Sequence, residues 1–321
     1  MVHFIGLGNV LRSENRAVAA LTLAGAITAY AVDGEAYCRS TTCSGSCARD
    51  ADGCKTEGEP LYWDTLCAGF SLQEDGSQHI DWSVWVDVAT NSFAAWVDIE
   101  CGSGFATITF SQHKNAECHR SEFDPDGPNA NIVLFQDTKW EYKGVDNTLA
   151  KTTVSYDKDT GEILDADIEM NHAYNEFTTG DDYVVYDLQS ILTHEIGHFI
   201  GLDHTLDYNA TMNAGYQQGT IELRTLELDD MEGVCAIYPP HRDGVCDSKP
   251  TGGWHSECSE NITPGEEPGC SIVPAPTSPG RHARDAGRLS SPHRGGFALA
   301  LALAGLAAWI RRRPRNDKTS S

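Results

Sequence analysis

Residues 187–205 read DLQSILTHEIGHFIGLDHT, and their spacing carries both a helix and a metal chemistry. Leu188, Ile191, Leu192, Ile196 and Phe199 recur at helical intervals, with Asp187 where an N-cap belongs. His194 and His198 are four residues apart, so both imidazoles leave one helix face and can grip the same ion. Glu195, beside the first of them, is placed to act as a general base on water at that ion. Gly201 lets the chain leave the helix through a left-handed conformation, and the turn brings His204 round as a third ligand. Three nitrogen ligands leave one position of a tetrahedral zinc ion open to water, as a catalytic site needs and a structural one does not.

The pattern HExxHxxGxxH resembles the metzincin motif, and the residues after it are similar to those of matrixins. Met212 follows His204 by eight residues, within Ala210-Thr211-Met212-Asn213-Ala214-Gly215-Tyr216. The resemblance implies a Met-turn there, with the methionine as an apolar floor beneath the histidines. Tyr216 stands four after Met212, where matrixins carry a tyrosine that helps wall the pocket beside the zinc. Astacins and serralysins carry theirs two after the methionine, where this chain has Ala214. Leu226–Pro239 (LELDDMEGVCAIYP) resembles the closing matrixin helix, with Asp229, Asp230, Met231 and Gly233 in an Asp-Asp-aliphatic-x-Gly pattern. Ser190, four before His194, is expected at the base of the pocket beyond the scissile bond.

Upstream segments suit the same α+β class. Leu61–Leu72 reads as an opening strand, and Asp81–Ile99 as a long helix with Trp82, Trp85, Val86, Phe93, Trp96 and Val97 at largely helical spacing. Phe105–Phe110, Asn131–Phe135, Leu149–Tyr156 and Glu162–Met170 read as strands, the last two joined by a turn at Lys158-Asp159-Thr160-Gly161. The resemblance, which covers about residues 60–238, implies a metzincin domain. Its expected parts are a twisted mixed five-stranded sheet, a long backing helix, an active-site helix and a cleft at the sheet edge. It also implies that Leu149 and Ala150 lie on the edge strand, where that family binds a peptide as an added antiparallel strand. No Pro-Arg-Cys-Gly switch precedes the catalytic segment, and no counterpart of the matrixin structural-zinc ligands stands out. His113 and His172 read as surface histidines. Asp157, Asp159, Asp165 and Asp167 are candidates for calcium, set against the equally good reading of a solvated hairpin.

The chain has 321 residues and a formal net charge of −24, but the charge is uneven. Residues 1–31 carry +1 and residues 281–321 carry +7, leaving −32 on residues 32–280. That acidity excludes nucleic acid as a partner, since phosphate binding needs clustered Lys and Arg. Arg12 and Arg16, the apolar run Ala17–Val32 and Ala29-x-Ala31 read as a signal peptide over residues 1–36, cleaved after Ala31 or Ala36. A Cys-rich segment follows at 37–59, then the catalytic domain at 60–238 and a Pro/Gly/Cys-rich linker at 239–294. Residues 295–310 read as a transmembrane or sorting helix before a basic tail at 311–321, so a membrane contact is expected there. Gly269-Cys270-Ser271, the apolar segment and the arginines resemble the MYXO-CTERM sorting signal of myxobacterial surface proteins, which implies Cys270 as an attachment point. Ten other cysteines make an even set, so five disulfides are expected, their pairing open.

The expected protein is a secreted or surface-bound zinc endopeptidase, monomeric, acting on a protein or peptide. Zn²⁺ would sit on His194, His198 and His204, with Glu195 as base. The competing expectations are a non-catalytic surface protein on the same fold, and a zinc amidase acting on cell-wall material.

Overall fold

The computed structural model describes residues 37–143, 148–259 and 273–274. In chain order the elements are β1 (Cys38–Arg39), β2 (Cys67–Leu72), α1 (Trp82–Ala94), β3 (Thr109–Gln112) and β4 (Ile132–Phe135). There follow β5 (Ala150–Tyr156), β6 (Ile163–Met170), β7 (Phe177–Thr178), β8 (Tyr186–Asp187) and α2 (Leu188–Phe199). The chain then forms β9 (Leu202–Asp203), β10 (Gly215–Tyr216), a 3₁₀ turn at Glu222–Arg224, α3 (Leu228–Ile237) and β11 (Val273–Pro274). The signal-peptide, Cys270 and 295–310 readings fall outside the described residues. Among the described residues no helix is long and apolar enough to cross a membrane.

Five strands make one sheet in the order β3-β2-β4-β6-β5. The first four are mutually parallel, and β5 closes one edge antiparallel to β6, with Ala150 opposite Met170 and Thr152 opposite Ile168. The mixed five-stranded α+β architecture expected from sequence is therefore present. CAGFSL in β2 and IVLF in β4 are buried along their whole length, as strands covered on both faces must be.

One face packs on the helices. Trp85, Val88, Phe93, Ile191, Leu192 and Phe199 join Phe70, Leu72, Val133, Ile168 and Met170 in the main core. The indole N–H of Trp96 donates to the Thr193 carbonyl at 2.9 Å and ties α1's end to α2. Helix α1 stops at Ala94, short of the expected Ile99, and the chain turns at Asp98 with φ +58°. The burial of Trp96 and Ile99 that made the periodicity look continuous is met by this turn instead. The opening strand likewise starts at Cys67, because Trp63 is engaged elsewhere: its indole N–H donates to the Phe199 carbonyl. The expected Phe105–Phe110 strand forms two to four residues later, as β3.

The other face carries a second, smaller apolar cluster of Ala116, Cys118, Ile132 and Leu134. Residues 239–259, read from composition as the start of a linker, are laid down here. Cys246 is bridged to Cys67 and Cys258 to Cys118. Arg242 donates to the carbonyls of Trp63 and Thr65, and Trp254 to the Ser71 hydroxyl. Proline and glycine content marks a lack of helix or strand, and this segment has neither, yet cross-links hold it. Cys38–Cys54, Cys43–Cys47 and Cys101–Cys235 complete the five bridges. Each typically contributes about 2–4 kcal/mol by restraining the unfolded chain.

Strand β6 shows how alternation misleads when both faces are covered. Ala166, Ile168 and Met170 face the main core, while Asp165, Asp167 and Glu169 are 2% exposed beneath the outer layer. They are neither a solvated hairpin nor, among the described residues, part of a three-ligand cluster. Asp167 accepts the amides of Ile132 at 2.7 Å and Glu122 at 2.8 Å, while Asp157 caps its own turn through the amides of Asp159 and Thr160. His172 is a correction too. Its side chain is 7% exposed, with Nδ1 2.8 Å from the Ser77 hydroxyl and 3.3 Å from Asp137. His113 is half-buried, with Nε2 2.6 Å from the Ser248 carbonyl.

Burial pushes the Asp165 carboxyl well up, helped by the Asp167 charge, and pushes Asp167 up to about 7 against its amide bonds. The fold thus holds protons that an unfolded carboxyl loses near pH ~4. Both contributions to stability are full below that pH; that of Asp167 is lost as pH rises through about 7, and that of Asp165 as pH rises through its own raised value. Asp165→Asn keeps the shape and removes one titrating group. Its melting temperature should exceed the wild-type value at pH 8, by a margin that shrinks toward pH 5. A margin independent of pH would count against this account.

Candidate metal centre and cleft

Helix α2 starts at Asp187, whose carboxylate accepts the Ser190 amide at 2.8 Å. The same carboxylate takes a two-pronged bond from Arg224, at 2.8 and 2.6 Å. The hydroxyl of Tyr216 accepts the Asp187 amide at 2.9 Å and donates to the Thr220 carbonyl at 2.5 Å. At the far end the Phe199 and Ile200 carbonyls accept from Trp63 and from the Tyr238 hydroxyl. Both ends of the helix are thus fixed by side chains distant in sequence, which satisfies groups that would otherwise be orphaned in the core.

Gly201 takes φ +95°, and a Cβ there would strike the Leu61 backbone carbonyl. The chain turns through it into β9 and delivers His204. His194 Nδ1 lies 2.6 Å from the Thr211 carbonyl, and His198 Nδ1 lies 2.9 Å from the Leu202 carbonyl. A carbonyl only accepts, so each Nδ1 carries the proton and each Nε2 presents a lone pair. Both Nε2 atoms stand 3.1 Å from Nε2 of His204. A tetrahedral zinc with bonds of about 2.0–2.1 Å has edges of roughly 3.3 Å, so the donor set fits that ion. Burial holds His194 well below the ordinary imidazole range, reinforced by His198 and His204; burial also lowers His198 and takes His204 down to about 3. Three neutral imidazoles with converging lone pairs form a metal-binding site. A second group, Cys118, Glu122 and Cys258, is close enough to ligate, but its two sulfurs are joined to each other in a disulfide.

Met212 is 2% exposed and lies against α2 at Gly197, between the two helical histidines. A Cβ at Gly197 would run into the Met212 sulfur and approach the Trp96 ring at 3.0 Å. Asp230 of α3 holds the turn from behind: it accepts the amides of Thr211, Met212 and Glu227 at 2.8–2.9 Å. This is the physical content of the Asp-Asp pattern, since its second carboxylate pins the methionine's backbone.

Glu195 is fully buried, and its Oε2 accepts the Thr152 hydroxyl at 2.6 Å. Thr152 comes from the edge strand β5 and was not singled out in the sequence. The signal was available in alternation, which puts Thr152 on the same face as Ala150. Leu149 and Ala150, expected to line the cleft, are fully buried in the main core. Ser190 is fully buried, and its hydroxyl has no hydrogen-bond partner among the described residues. Tyr216 is fully buried, with its hydroxyl committed as above. A cavity of about 420 Å³ opens beside His198 and His204, bounded by Thr152, Val154 and Tyr156 and by the Cys-rich segment.

Comparison with known families agrees with this geometry. Residues 83–239 match the matrixin family model, just under half of the chain, and this segment is similar to a zinc-protease domain of metzincin type. An 81-residue stretch is 36% identical to the interstitial collagenase of Oryctolagus cuniculus, covering 22% of this chain and 17% of that protein. A 62-residue stretch is 39% identical to Metalloendoproteinase 1-MMP of Arabidopsis thaliana, covering 19% and 17%. A 104-residue stretch is 30% identical to Matrix metalloproteinase-C of Caenorhabditis elegans, covering 31% and 17%. The chain thus spans about a sixth of the length of these relatives.

Gly197→Ala should cost about 1–3 kcal/mol through overpacking, read as a lower denaturant midpoint. Adding Met212→Ala should recover part of the loss, because it removes the atom that Cβ meets. An unchanged midpoint for Gly197→Ala would show that the methionine does not press on the helix.

Proposed function

We propose that this protein is an exported zinc-dependent endopeptidase. The observation that carries the reading is the convergence of three neutral imidazole Nε2 atoms, two buried and that of His204 half-buried, beside Glu195, at the edge strand β5. His194, His198 and His204 would hold a zinc ion, which would supply Lewis acidity toward water and a carbonyl. Glu195 takes the proton of the attacking water on its carboxylate and hands it to the leaving amine nitrogen. Thr152 holds Oε2 of that carboxylate, which fixes the plane in which the other oxygen meets water. The edge of β5 away from β6 receives the substrate backbone as an added strand, which aligns an extended peptide over the histidines. Export is supported by five disulfides, which need an oxidising compartment. They use ten of the eleven cysteines and leave Cys270 over, which supports its reading as the attachment point of a surface-sorting signal.

Glu195→Ala should retain stoichiometric zinc by elemental analysis and lose peptide cleavage, whereas His204→Ala should lose zinc. Cleavage at the wild-type rate by Glu195→Ala would remove it as the base. A digest of mixed peptides with and without a chelator tests the activity itself.

Thr152→Val is nearly isosteric and removes the hydroxyl. It should lower kcat by about tenfold, the worth of one hydrogen bond to a charged group, with little change in KM. Thr152→Ser should restore the rate. A Val variant with normal kcat, or a Ser variant as poor as Val, would show that the hydroxyl does not position Glu195.

A further inference from the structure

The Cys-rich segment at residues 37–59 is built into the cleft. Its strand β1 pairs antiparallel with β9, placing Cys38 opposite Asp203, next to the ligand His204. Bridges Cys38–Cys54 and Cys43–Cys47 brace the loop that follows. Lys55 pairs with Asp203 at 3.3 Å, and the Tyr156 hydroxyl donates to the Thr42 carbonyl across the cavity mouth. The 420 Å³ cavity therefore has the catalytic edge strand on one side and this stapled loop on the other, with Ser44, Gly45 and Arg49 lining it.

The cavity extends from His198 and His204 along the second half of β5, past Val154 and Tyr156, and does not reach Ala150. A peptide added antiparallel to β5, the more stable pairing, lays its amino-terminal part along that half. Charge on the loop is unequal. Lys55 is neutralised by Asp203. The Glu57 carboxylate is turned onto the Ala48 amide at 3.1 Å, and Asp50 accepts the amides of Asp52 and Cys54. Arg49 donates once, to the Gly53 carbonyl at 2.5 Å, and among the described residues no carboxylate pairs with it. We propose that this cavity selects a substrate carboxylate on the amino-terminal side of the scissile bond, with Arg49 as the recognising group. The guanidinium fork matches a carboxylate, and it stands in a body whose net charge of −32 otherwise repels acidic chains. The preference is local, set by one side chain against the field of the whole domain.

This inference rests on the endopeptidase reading, and the test separates the two. Zinc-loaded full-length protein is given paired peptides differing only by Glu or Gln at the second, third or fourth residue before the cleaved bond. One of these positions should show kcat/KM about three- to fivefold higher for Glu, the upper range for a solvent-exposed ion pair. The difference should shrink in high salt. Arg49→Lys should weaken the preference without abolishing it, Arg49→Ala should level it, and Arg49→Glu should reverse it toward a Lys-containing peptide. Arg49 is exposed, so unchanged zinc content and circular dichroism are expected in all three variants. Equal rates for Glu and Gln in the wild type, or a preference that survives Arg49→Ala, would overturn the assignment while leaving the protease reading intact. No cleavage of any peptide by the zinc-loaded wild type would overturn the protease reading itself.

Discussion

Everything in this domain answers to one constraint: three imidazole lone pairs must converge within a few ångströms while remaining neutral, two of the rings buried and the third half-buried. Such an arrangement is repulsive until a cation joins it, so the scaffold must hold the rings against one another. Two rings come from α2 and are held by its rigidity. The third arrives on a separate turn and needs its own anchorage, which β9 and its pairing with β1 provide. The carbonyls of Thr211 and Leu202 orient the helical rings, and both lie beyond the helix, Leu202 in β9 and Thr211 in the turn at Met212.

Those loops are in turn fixed by charged groups buried for that purpose. Asp230 binds three backbone amides and so sets the height of Met212 under the metal site. Arg224 and Asp187 perform the same service at the helix start. A buried carboxylate with two or three donors is a rigid joint, because releasing it would strand a charge in the core. The disulfides act on a coarser scale. They fasten residues 239–259 to Cys67 of β2 and to Cys118, and they brace residues 37–59 internally through Cys38–Cys54 and Cys43–Cys47.

Legibility followed periodicity and motif spacing. The three histidines, Glu195 beside them, Met212 and the strand segments could be read because each depends on residues near one another in the chain. Readings weakened where a side chain's neighbours are distant. Asp165 and Asp167 look solvated in a hairpin, and their burial depends on a layer contributed by residues 116–131 and 239–259. His172 looks like a surface residue until Ser77 and Asp137 arrive from the loops that follow β2 and β4. Thr152 has no motif of its own, and its hydroxyl matters only because an antiparallel edge strand meets α2 at Glu195.

The sequence by itself marked His194, His198 and His204 as the ligand set with Glu195 beside them, since helical pitch and one glycine turn gather those groups within eleven residues of chain. Tertiary structure alone decided what surrounds them. It placed Thr152 on the base, buried the side chains of Leu149 and Ala150, and made the Cys-rich segment at 37–59 one wall of the cleft. The physical reason is range. Ligand spacing is set by covalent geometry over a few residues, whereas burial, charge pairing and cavity shape depend on contacts between segments 40 to 180 residues apart.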